Sequence, residues 1–377
     1  MPAISVLMKP SSGMCNMKCD YCFYCDEATK RNQGNYGFMS EATLKNVIRR
    51  TLLQTDGAAA YAFQGGEPTL RGLDFFRQLM IYEKQYNKNG VRITNALQTN
   101  GLALNEEWCR FFQENHFLVG ISIDGTKALH DLHRHTKAGG PTYDRILQAT
   151  RLMDRYQVDY NILTVVNRQV AENITEIYEN YRRNGWHYQQ YIACLDPLGE
   201  PHGQSEYALT PDLYGQFLIR LFELWYEDVR KGNPPYIRSF ENYLGLLLGY
   251  PPEACDQRGC CGIQYVVEAD GSVYPCDFYM LDDYCLGSFN QDRLPALDTK
   301  RREIGFIEKS LKLDPACKTC PYYQICRGGC QRQRDPMRNE AGGNSEYYKN
   351  YFCESYRMFF DACLDRLVKV AEEIRRR

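Results

Sequence analysis

The sequence predicts an α/β fold in which helices cover a parallel sheet and a cysteine-rich region follows. Six short apolar segments alternate with amphipathic segments from the N-terminus to about residue 192. The apolar segments are continuous rather than alternating, as expected for strands buried on both faces. Polar motifs directly follow several of them, where the carboxyl ends of parallel strands share one edge. This pattern fits both an open sheet and a partial barrel.

Six strands and seven helices are predicted in chain order. The strands are at residues 4–8, 58–63, 91–97, 117–123, 160–165 and 188–192. The first helix has Ser40 as its N-cap and an apolar face between residues 44 and 52. Further helices are predicted at residues 73–85, 106–115, 143–156, 174–183, 211–229 and 356–377. Residues 231–235 contain glycine and two prolines, which end a helix and indicate a linker.

Composition and charge exclude several classes of protein. The chain has 377 residues and a net charge of −2, and no apolar run is long enough to span a membrane. We therefore expect no nucleic-acid partner and no membrane partner. The first residues lack the pattern of a secretory signal, so the 17 cysteines favour metal-binding thiolates in the cytoplasm over disulfides. No feature argues for an oligomer, and a monomer is expected.

Three cysteines lie in a short loop after the first predicted strand. Cys15, Cys19 and Cys22 are separated by four and three positions. A closed zinc or iron–sulfur site usually takes four protein ligands, so three thiolates leave one metal position for another ligand. The alternatives are a fragment of a zinc knuckle and three unrelated buried cysteines.

Polar motifs also follow the second, third and fourth strands. Gly65-Gly66-Glu67-Pro68 combines glycines, which let a ligand approach the backbone, with a carboxylate that can receive an ammonium group. By itself this stretch is more simply explained as a turn. Residues 98–101 and 122–125 follow the next two strands. His130, His133 and His135 have spacings that do not suit a metal site, and we expect them to be solvated or to support other residues.

The C-terminal region holds the most specific cysteine pattern. Its members are Cys261, Gly271 and Cys276, then Cys317, Cys320, Cys326 and Cys330, and finally Cys353. Asp270-Gly271 is a hairpin signal between residues 263–268 and 272–274, and this turn would bring Cys276 back toward the first cysteines. Cysteines spaced like Cys317 and Cys320 also bind zinc, so a zinc ribbon is the alternative. Zinc binding does not explain the N-terminal triplet.

The N-terminal cysteine loop, with aromatic residues on both sides of Cys22, resembles the signature of radical S-adenosylmethionine (SAM) enzymes. Gly65-Gly66-Glu67-Pro68 resembles the GGEP motif of these enzymes, and the C-terminal cysteines resemble their SPASM extension. Residues 274–278, 326–330 and 350–353 make the chain similar to the anaerobic sulfatase-maturating enzymes over nearly its whole length. The resemblance implies a partial (βα)6 TIM barrel at residues 1–234. It also implies a SPASM auxiliary-cluster domain with a terminal helix at residues 235–377.

The resemblance also implies SAM and three 4Fe–4S clusters as cofactors. Cys15, Cys19 and Cys22 would hold the cluster that binds SAM. One auxiliary cluster would be held by Cys255, Cys261, Cys276 and Cys330, and the other by Cys317, Cys320, Cys326 and Cys353. The implied SAM contacts are Tyr21, Gly66, Glu67, Ser122, Asp124, Arg134, Asn161 and Leu195. Cys25 is outside these sets, and Cys260 is an alternative to Cys261 as a ligand.

Asp277 directly follows Cys276, and a carboxylate fixed beside a cluster can take a proton during substrate oxidation. In the family that the chain resembles, this aspartate is the catalytic base. Tyr24, Gln64 and Gln98 are the expected peptide contacts. The implied reaction oxidises a cysteine or serine of a sulfatase peptide to Cα-formylglycine. It starts with removal of a hydrogen atom from Cβ by a 5′-deoxyadenosyl radical.

The implied partners are an unfolded or nascent sulfatase peptide and an external electron donor. The peptide would carry a Cys/Ser-x-Pro/Ala-x-Arg motif, and the donor would be a protein such as flavodoxin or ferredoxin. Two other functions remain open. One is a different SPASM enzyme that forms a thioether or another crosslink in its peptide, and the other is a zinc-binding interaction protein without enzymatic activity.

Overall fold

The computed structural model describes residues 3–334 and 349–376. The chain forms two compact units, each built from three segments. The first unit comprises Met1–Ser122, Asp131–Tyr160 and Ile263–Phe306, and the second comprises Ile123–His130, Asn161–Gly262 and Ile307–Arg377. The sequence domains expected at residues 1–234 and 235–377 stay a prediction.

The strands of the described residues are short and follow the predicted order. They are β1 Ala3–Met8, β2 Met17–Cys19, β3 Ala58–Phe63, β4 Arg92–Thr99, β5 Leu118–Ser122, β6 Arg134–Thr136, β7 Tyr160–Val166, β8 Tyr188–Ala193, β9 Tyr236–Ile237, β10 Tyr265–Val267, β11 Ser272–Tyr274 and β12 Gly287–Ser288. All six predicted strands of the N-terminal half are confirmed, with ends within two residues of those expected.

The helices of the described residues include the seven that were predicted. They are α1 Phe23–Thr29, α2 Glu41–Leu52, α3 Leu73–Tyr86, α4 Glu106–Glu114, α5 Lys127–His133, α6 Tyr143–Tyr156, α7 Arg168–Glu172, α8 Ile174–Arg183, α9 Pro211–Arg230, α10 Arg238–Leu247, α11 Leu294–Glu303, α12 Phe306–Ser310, α13 Tyr323–Cys326 and α14 Cys353–Arg376. Ser40 caps α2 as expected, since its side chain accepts a 3.1 Å hydrogen bond from the Thr43 amide. Helix α14 begins three residues before the prediction, because its first turn is polar and carries no apolar signal.

The sheet of the first unit has the order β12-β11-β10-β1-β3-β4-β5. Strands β1, β3, β4 and β5 are parallel neighbours, which confirms the predicted α/β class with a mostly parallel sheet. An aromatic core packs against it through edge contacts such as Phe63 with Phe76 and Phe76 with Trp108, at 5.1 and 5.4 Å between ring centroids. These buried rings fix the strands whose carboxyl ends carry the polar motifs.

The cysteine-rich region contributes a hairpin to this same sheet. Strands β10 and β11 pair antiparallel across the predicted Asp270-Gly271 turn, where Gly271 has a φ of +92°. Strand β10 also pairs in parallel with β1, with Val6 opposite Tyr265. The predicted hairpin is confirmed, but its place beside the first strand could not be inferred from local pattern.

The second unit contains the parallel strands β7, β8 and β9 and a layer of helices. Helices α9, α10 and α14 meet around Phe222, Phe240 and Phe359, whose ring centroids are 5.5 to 6.0 Å apart. The Ser355 hydroxyl donates to the Pro211 carbonyl at 2.5 Å and ties the start of α14 to the start of α9. Within the described residues, no helix is long and apolar enough to cross a membrane.

Candidate active site and iron–sulfur ligands

The loop of Cys15, Cys19 and Cys22 is tied to the rest of the first unit. Cys19 lies in β2, where it pairs antiparallel with Arg134 of β6. The Cys15 sulfur accepts hydrogen bonds from the Met17 amide at 3.4 Å and from the Asn100 side chain at 3.6 Å. Hydrogen bonding, chiefly from the Cys25 thiol, lowers the pKa of Cys22 to about 6 despite its burial. A thiol of this kind is readily available as a thiolate ligand.

The glycine turn after β3 approaches the cysteine loop closely. Gly66 has a φ of +53°, and a Cβ atom added to it would lie 2.2 Å from the Met14 carbonyl oxygen. The Glu67 amide donates to that same oxygen at 2.8 Å. Only glycine therefore allows the turn to lie this close to the cysteine loop. A simple turn after the strand would not account for this close contact.

The Glu67 carboxylate connects the strand-end motifs of the first unit. It is 1% exposed, and it accepts hydrogen bonds from the Thr69 and Thr99 hydroxyls at 2.6 and 2.8 Å. It also accepts one from the Asn100 backbone amide at 2.7 Å. Burial raises the pKa of Glu67, and these donors act in the opposite direction. Asn100 in turn donates to Cys15 and, at 2.7 Å, to Asn16. Glu67 thus fixes Asn100 beside the cysteine loop, a role that sequence reasoning missed.

A second set of contacts positions Arg134, one of the expected SAM contacts. Its guanidinium donates to the Tyr21 hydroxyl at 3.1 Å, so two predicted SAM residues touch each other. Asp20 contacts His133 at 3.0 Å and His135 at 3.1 Å, and these hydrogen bonds and charges lower the pKa of Asp20 against the effect of its burial. His133 is 5% exposed. His133 is therefore not solvated. It is buried against the cysteine loop, where it supports Asp20.

The remaining predicted SAM residues are distributed between the two units. Ser122 ends β5 in the first unit, whereas Asp124, Asn161 and Leu195 belong to the second. The buried Asp124 carboxylate accepts from the Val165 amide at 2.9 Å, and its own amide donates to His130 at 3.2 Å. Asn161 is half-buried on β7, and Leu195 follows β8. Their contacts with SAM stay predictions.

The predicted base and two predicted peptide contacts form one hydrogen-bonded group in the first unit. Asp277 Oδ2 accepts from the Tyr24 hydroxyl and from the Gln64 amide, both at 2.5 Å. The Gln64 amide also donates to the Tyr24 oxygen at 2.8 Å. Gln98, the third predicted peptide contact, is exposed on β4, and its side chain forms no hydrogen bond with a described residue.

Lys9 completes this group and was missed by the sequence analysis. Its ammonium group lies 3.1 Å from Asp277 Oδ1 and 3.9 Å from the centre of the Tyr24 ring. The Lys9 side chain is only 4% exposed, and its amide donates to the Val267 carbonyl at 2.8 Å, continuing the β1–β10 ladder. The signal was present, since Lys9 is a charged residue directly after a buried strand. It belongs to none of the recognised motifs.

The described part of the second unit contains seven of the eight predicted auxiliary-cluster ligands. They are Cys255, Cys261, Cys317, Cys320, Cys326, Cys330 and Cys353, and none is in a disulfide. The eighth, Cys276, lies in the first unit at the end of the β10–β11 hairpin. By contrast, Cys109, Cys194 and Cys363, which belong to none of the predicted ligand sets, are buried free thiols.

Two features of the second unit fit an anionic group held by these thiols. Arg332 and Arg334 are buried close after Cys330, and neither forms an ion pair with a described residue. The Nε and Nη1 atoms of Arg332 also lack a hydrogen-bond partner among those residues. A cluster held by four thiolates is a net anion, and it would compensate such buried cations. Over residues 3–334 and 349–376, no three Cys, His, Asp or Glu side chains are arranged to hold a single metal ion.

Two family models match this chain. Residues 10–180 match the radical SAM superfamily, and residues 260–321 match SPASM, an iron–sulfur cluster-binding domain. The first match contains the N-terminal cysteine loop, and the second contains Cys261, Cys276, Cys317 and Cys320. The two matches confirm the iron–sulfur clusters and SAM as cofactors.

Curated relatives extend the similarity to the whole chain. A cysteine-type anaerobic sulfatase-maturating enzyme of Clostridium perfringens is 41% identical over 375 residues and covers 100% of both chains. A serine-type anaerobic sulfatase-maturating enzyme of Bacteroides thetaiotaomicron is 31% identical, over 94% of this chain and 88% of the relative. Both similarities span the strand–helix region and the cysteine-rich region together.

A solved structure gives the same result for the fold. Native anSMEcpe with bound AdoMet and Cp18Cys peptide matches with a TM-score of 0.92 and 41% identity, covering 99% of this chain and 100% of the other. The similarity therefore includes both the order of the elements and the sequence that builds them. This chain is a radical SAM enzyme with a SPASM domain, and it belongs to the family of anaerobic sulfatase-maturating enzymes.

Proposed function

We propose that this enzyme oxidises a cysteine or serine of a sulfatase peptide to Cα-formylglycine, with Asp277 as the catalytic base. The observation that carries the proposal is the hydrogen-bonded group of Lys9, Tyr24, Gln64 and Asp277 in the unit that contains the three-cysteine loop. A carboxylate that is held by two donors and one cation has a fixed orientation, as a general base requires.

The residues of this group have separate tasks in the proposed reaction. Asp277 takes the proton of the substrate thiol or hydroxyl, and Lys9 stabilises the ionised carboxylate before that transfer. Tyr24 and Gln64 aim the carboxylate and, through the same polar atoms, contact the reacting residue of the peptide. When bound, SAM and the clusters supply the 5′-deoxyadenosyl radical that removes a hydrogen atom from Cβ and an acceptor for the remaining electron. A cysteine yields a thioaldehyde, which water hydrolyses, whereas a serine yields the aldehyde directly.

SAM is proposed to be held by residues from several strand ends. Cys15, Cys19 and Cys22 would hold the cluster that binds SAM, and Gly66 would let the glycine turn approach it. Arg134, held by Tyr21, is available for the SAM carboxylate. The other proposed contacts are Glu67, Ser122, Asp124, Asn161 and Leu195. Glu67 already accepts hydrogen bonds from Thr69, Thr99 and Asn100, so part of its proposed effect on SAM comes from holding Asn100.

Cysteine is the proposed preferred residue of the substrate. The cysteine-type relative is 41% identical, whereas the serine-type relative is 31% identical and is matched over less of its length. The proposed partners are an unfolded peptide with a Cys-x-Pro/Ala-x-Arg motif and a one-electron donor such as flavodoxin or ferredoxin. We place the reaction in the cytoplasm, where thiols stay reduced.

The test is a peptide assay with the anaerobically reconstituted enzyme. The enzyme, SAM and a chemical reductant are incubated with a pair of peptides that differ only in cysteine or serine at the reacting position. Mass spectrometry is expected to show the aldehyde, with faster formation from cysteine, and one 5′-deoxyadenosine per aldehyde. Formation of 5′-deoxyadenosine without an aldehyde on either peptide would favour a SPASM enzyme that crosslinks a different peptide. A colourless, zinc-loaded protein would overturn the enzymatic proposal altogether.

A further inference from the structure

Two buried cations of the second unit have no anionic partner among the described residues. Arg332 and Arg334 are 1% and 3% exposed, and no carboxylate of residues 3–334 and 349–376 pairs with either. Burying an unpaired guanidinium is costly, and proteins normally avoid the cost by pairing the charge. Both arginines follow Cys330 within four residues. Their position therefore points to a compensating negative charge at the cysteines.

Arg334 is fixed by backbone carbonyls. Its Nη1 donates to the Lys312 carbonyl at 2.8 Å, and its Nη2 donates to the Ser310 and Gly329 carbonyls at 3.0 and 3.3 Å. These three acceptors orient the guanidinium but carry no formal charge. Arg334 is thus an immobile cation whose charge is available to a neighbouring anion.

The contacts of Arg334 lead directly to predicted cluster ligands. Ser310, whose carbonyl holds Arg334, also accepts a hydrogen bond from the Cys261 amide at 2.9 Å through its hydroxyl. Gly329, the third acceptor, directly precedes Cys330. Through Ser310 and Gly329, the guanidinium is therefore fixed close to both Cys261 and Cys330.

Arg332 provides an independent observation at the same ligand. Arg332 lies in the 3₁₀ turn Gln331–Gln333, and Cys330 is the residue that caps the start of this turn. The Arg332 side chain is fully buried, yet Nε and Nη1 have no hydrogen-bond partner among the described residues. Two buried hydrogen-bond donors without a partner among the described residues are explained if the neighbouring Cys330 holds an anionic group.

We propose that Arg332 and Arg334 are the counter-charges of the auxiliary cluster on Cys261 and Cys330, and that Arg334 raises its reduction potential. A cluster held by four thiolates gains one negative charge when it accepts an electron, so a fixed nearby cation stabilises the reduced form more than the oxidised form. The step is a transfer of one electron without a proton. Only the direction of this electron transfer rests on the proposed function. In that function, the substrate radical loses the electron and the cluster gains it.

The experiment measures midpoint potentials of the reconstituted holoenzyme by redox titration with electron paramagnetic resonance, without SAM or peptide. Replacing Cys15, Cys19 and Cys22 by alanine removes the N-terminal cluster, so the remaining signals belong to the auxiliary clusters. In this background, Arg334→Gln is expected to lower one auxiliary midpoint potential while iron content is retained. Arg334→Lys keeps the charge and is expected to shift that potential less.

Arg327→Gln is the matched control, because Arg327 also follows a predicted ligand, Cys326, but is half-exposed and donates to the Gln324 carbonyl. Solvent screens its charge, so its loss is expected to leave the potentials unchanged. Equal shifts in Arg327→Gln and Arg334→Gln, or no shift in an iron-replete Arg334→Gln, would overturn the proposal. If Arg334→Gln loses iron, the auxiliary midpoint potentials are measured in Arg332→Met instead. Unchanged potentials in that variant would also overturn the proposal. The titration uses neither SAM nor peptide, so a failure of the proposed peptide oxidation would not change these potentials.

Discussion

The Tyr24 hydroxyl donates a 2.5 Å hydrogen bond to the Asp277 carboxylate across 253 residues of sequence. Tyr24 lies in the helix that follows the N-terminal cysteine loop, and Asp277 follows the hairpin of the cysteine-rich region. The two meet because β10 pairs with β1 in one sheet. This pairing brings the proposed base to the strand ends that carry Lys9 and Gln64, where the proposed chemistry takes place.

Replacing Asp277 by asparagine is expected to slow peptide oxidation about 10²- to 10⁴-fold, the usual contribution of a general base. The amide keeps the shape of the side chain but cannot accept the substrate proton. SAM binding and iron content, measured by equilibrium dialysis and iron analysis, should be retained. Peptide oxidation at the wild-type rate would contradict the assignment of Asp277 as the base.

Lys9→Met is expected to slow peptide oxidation, because the variant removes the cation 3.1 Å from Asp277 that helps to hold the carboxylate in place, while it keeps most of the apolar stem. The charge, rather than the packing, is tested by Lys9→Arg, which should retain most of the wild-type rate. The measurement is the initial rate of aldehyde formation followed by mass spectrometry. An unchanged rate in Lys9→Met would show that Lys9 only fills space beside Tyr24.

Gly66→Ala is expected to displace the cysteine loop, because the added Cβ would lie 2.2 Å from the Met14 carbonyl oxygen. Iron bound at the N-terminal cluster and SAM affinity should both fall. Gly90→Ala is the matched control, since Gly90 also has a positive φ, +63°, but a Cβ added there would meet nothing within 4 Å beyond its chain neighbours. Strain from a positive φ alone costs about 1 to 2 kcal/mol in both variants. If both lose iron equally, the close approach at Gly66 is not the cause.

A buried carboxylate away from the site should make stability depend on pH. Glu83 is 4% exposed, and burial raises its pKa to about 7, opposed by one hydrogen bond from Asn95 at 3.2 Å. Because the folded-state pKa exceeds the unfolded one, protonation favours folding. Stability should therefore fall as pH rises from about 4.5 to about 7, by roughly 3 kcal/mol in total, and then level off.

Glu83→Gln should remove this part of the pH dependence, since the neutral amide does not titrate. Its NH2 group can donate to the side-chain oxygen of Asn95. The measurement is the midpoint of thermal unfolding at pH 5.5 and pH 8 for both proteins. Glu114→Gln, at an exposed carboxylate of α4, is the control and should behave as the wild type. A wild-type dependence retained in Glu83→Gln would show that other groups dominate.

The class of the fold and the chemistry of its cofactors follow from local features of the sequence. Continuous apolar segments predicted six strands of a parallel sheet, since burial on both faces leaves a local signal, and Ser40 marked the start of α2. The spacing of Cys15, Cys19 and Cys22 indicated an incomplete metal site, because ligand number is a property of the residues themselves. Their resemblance to radical SAM enzymes was then confirmed by the family match.

Which of these residues act together depends on contacts between distant segments, and these were visible only in the folded chain. The pairing of β10 with β1 joins segments more than 250 residues apart, and backbone hydrogen bonds of this kind leave no mark in local periodicity. It placed Lys9 beside Asp277, while other contacts buried His133 against Asp20. The buried charges of Arg332 and Arg334, unpaired among the described residues, likewise become visible only when burial is known, because an arginine near a cysteine in sequence is ordinarily solvated.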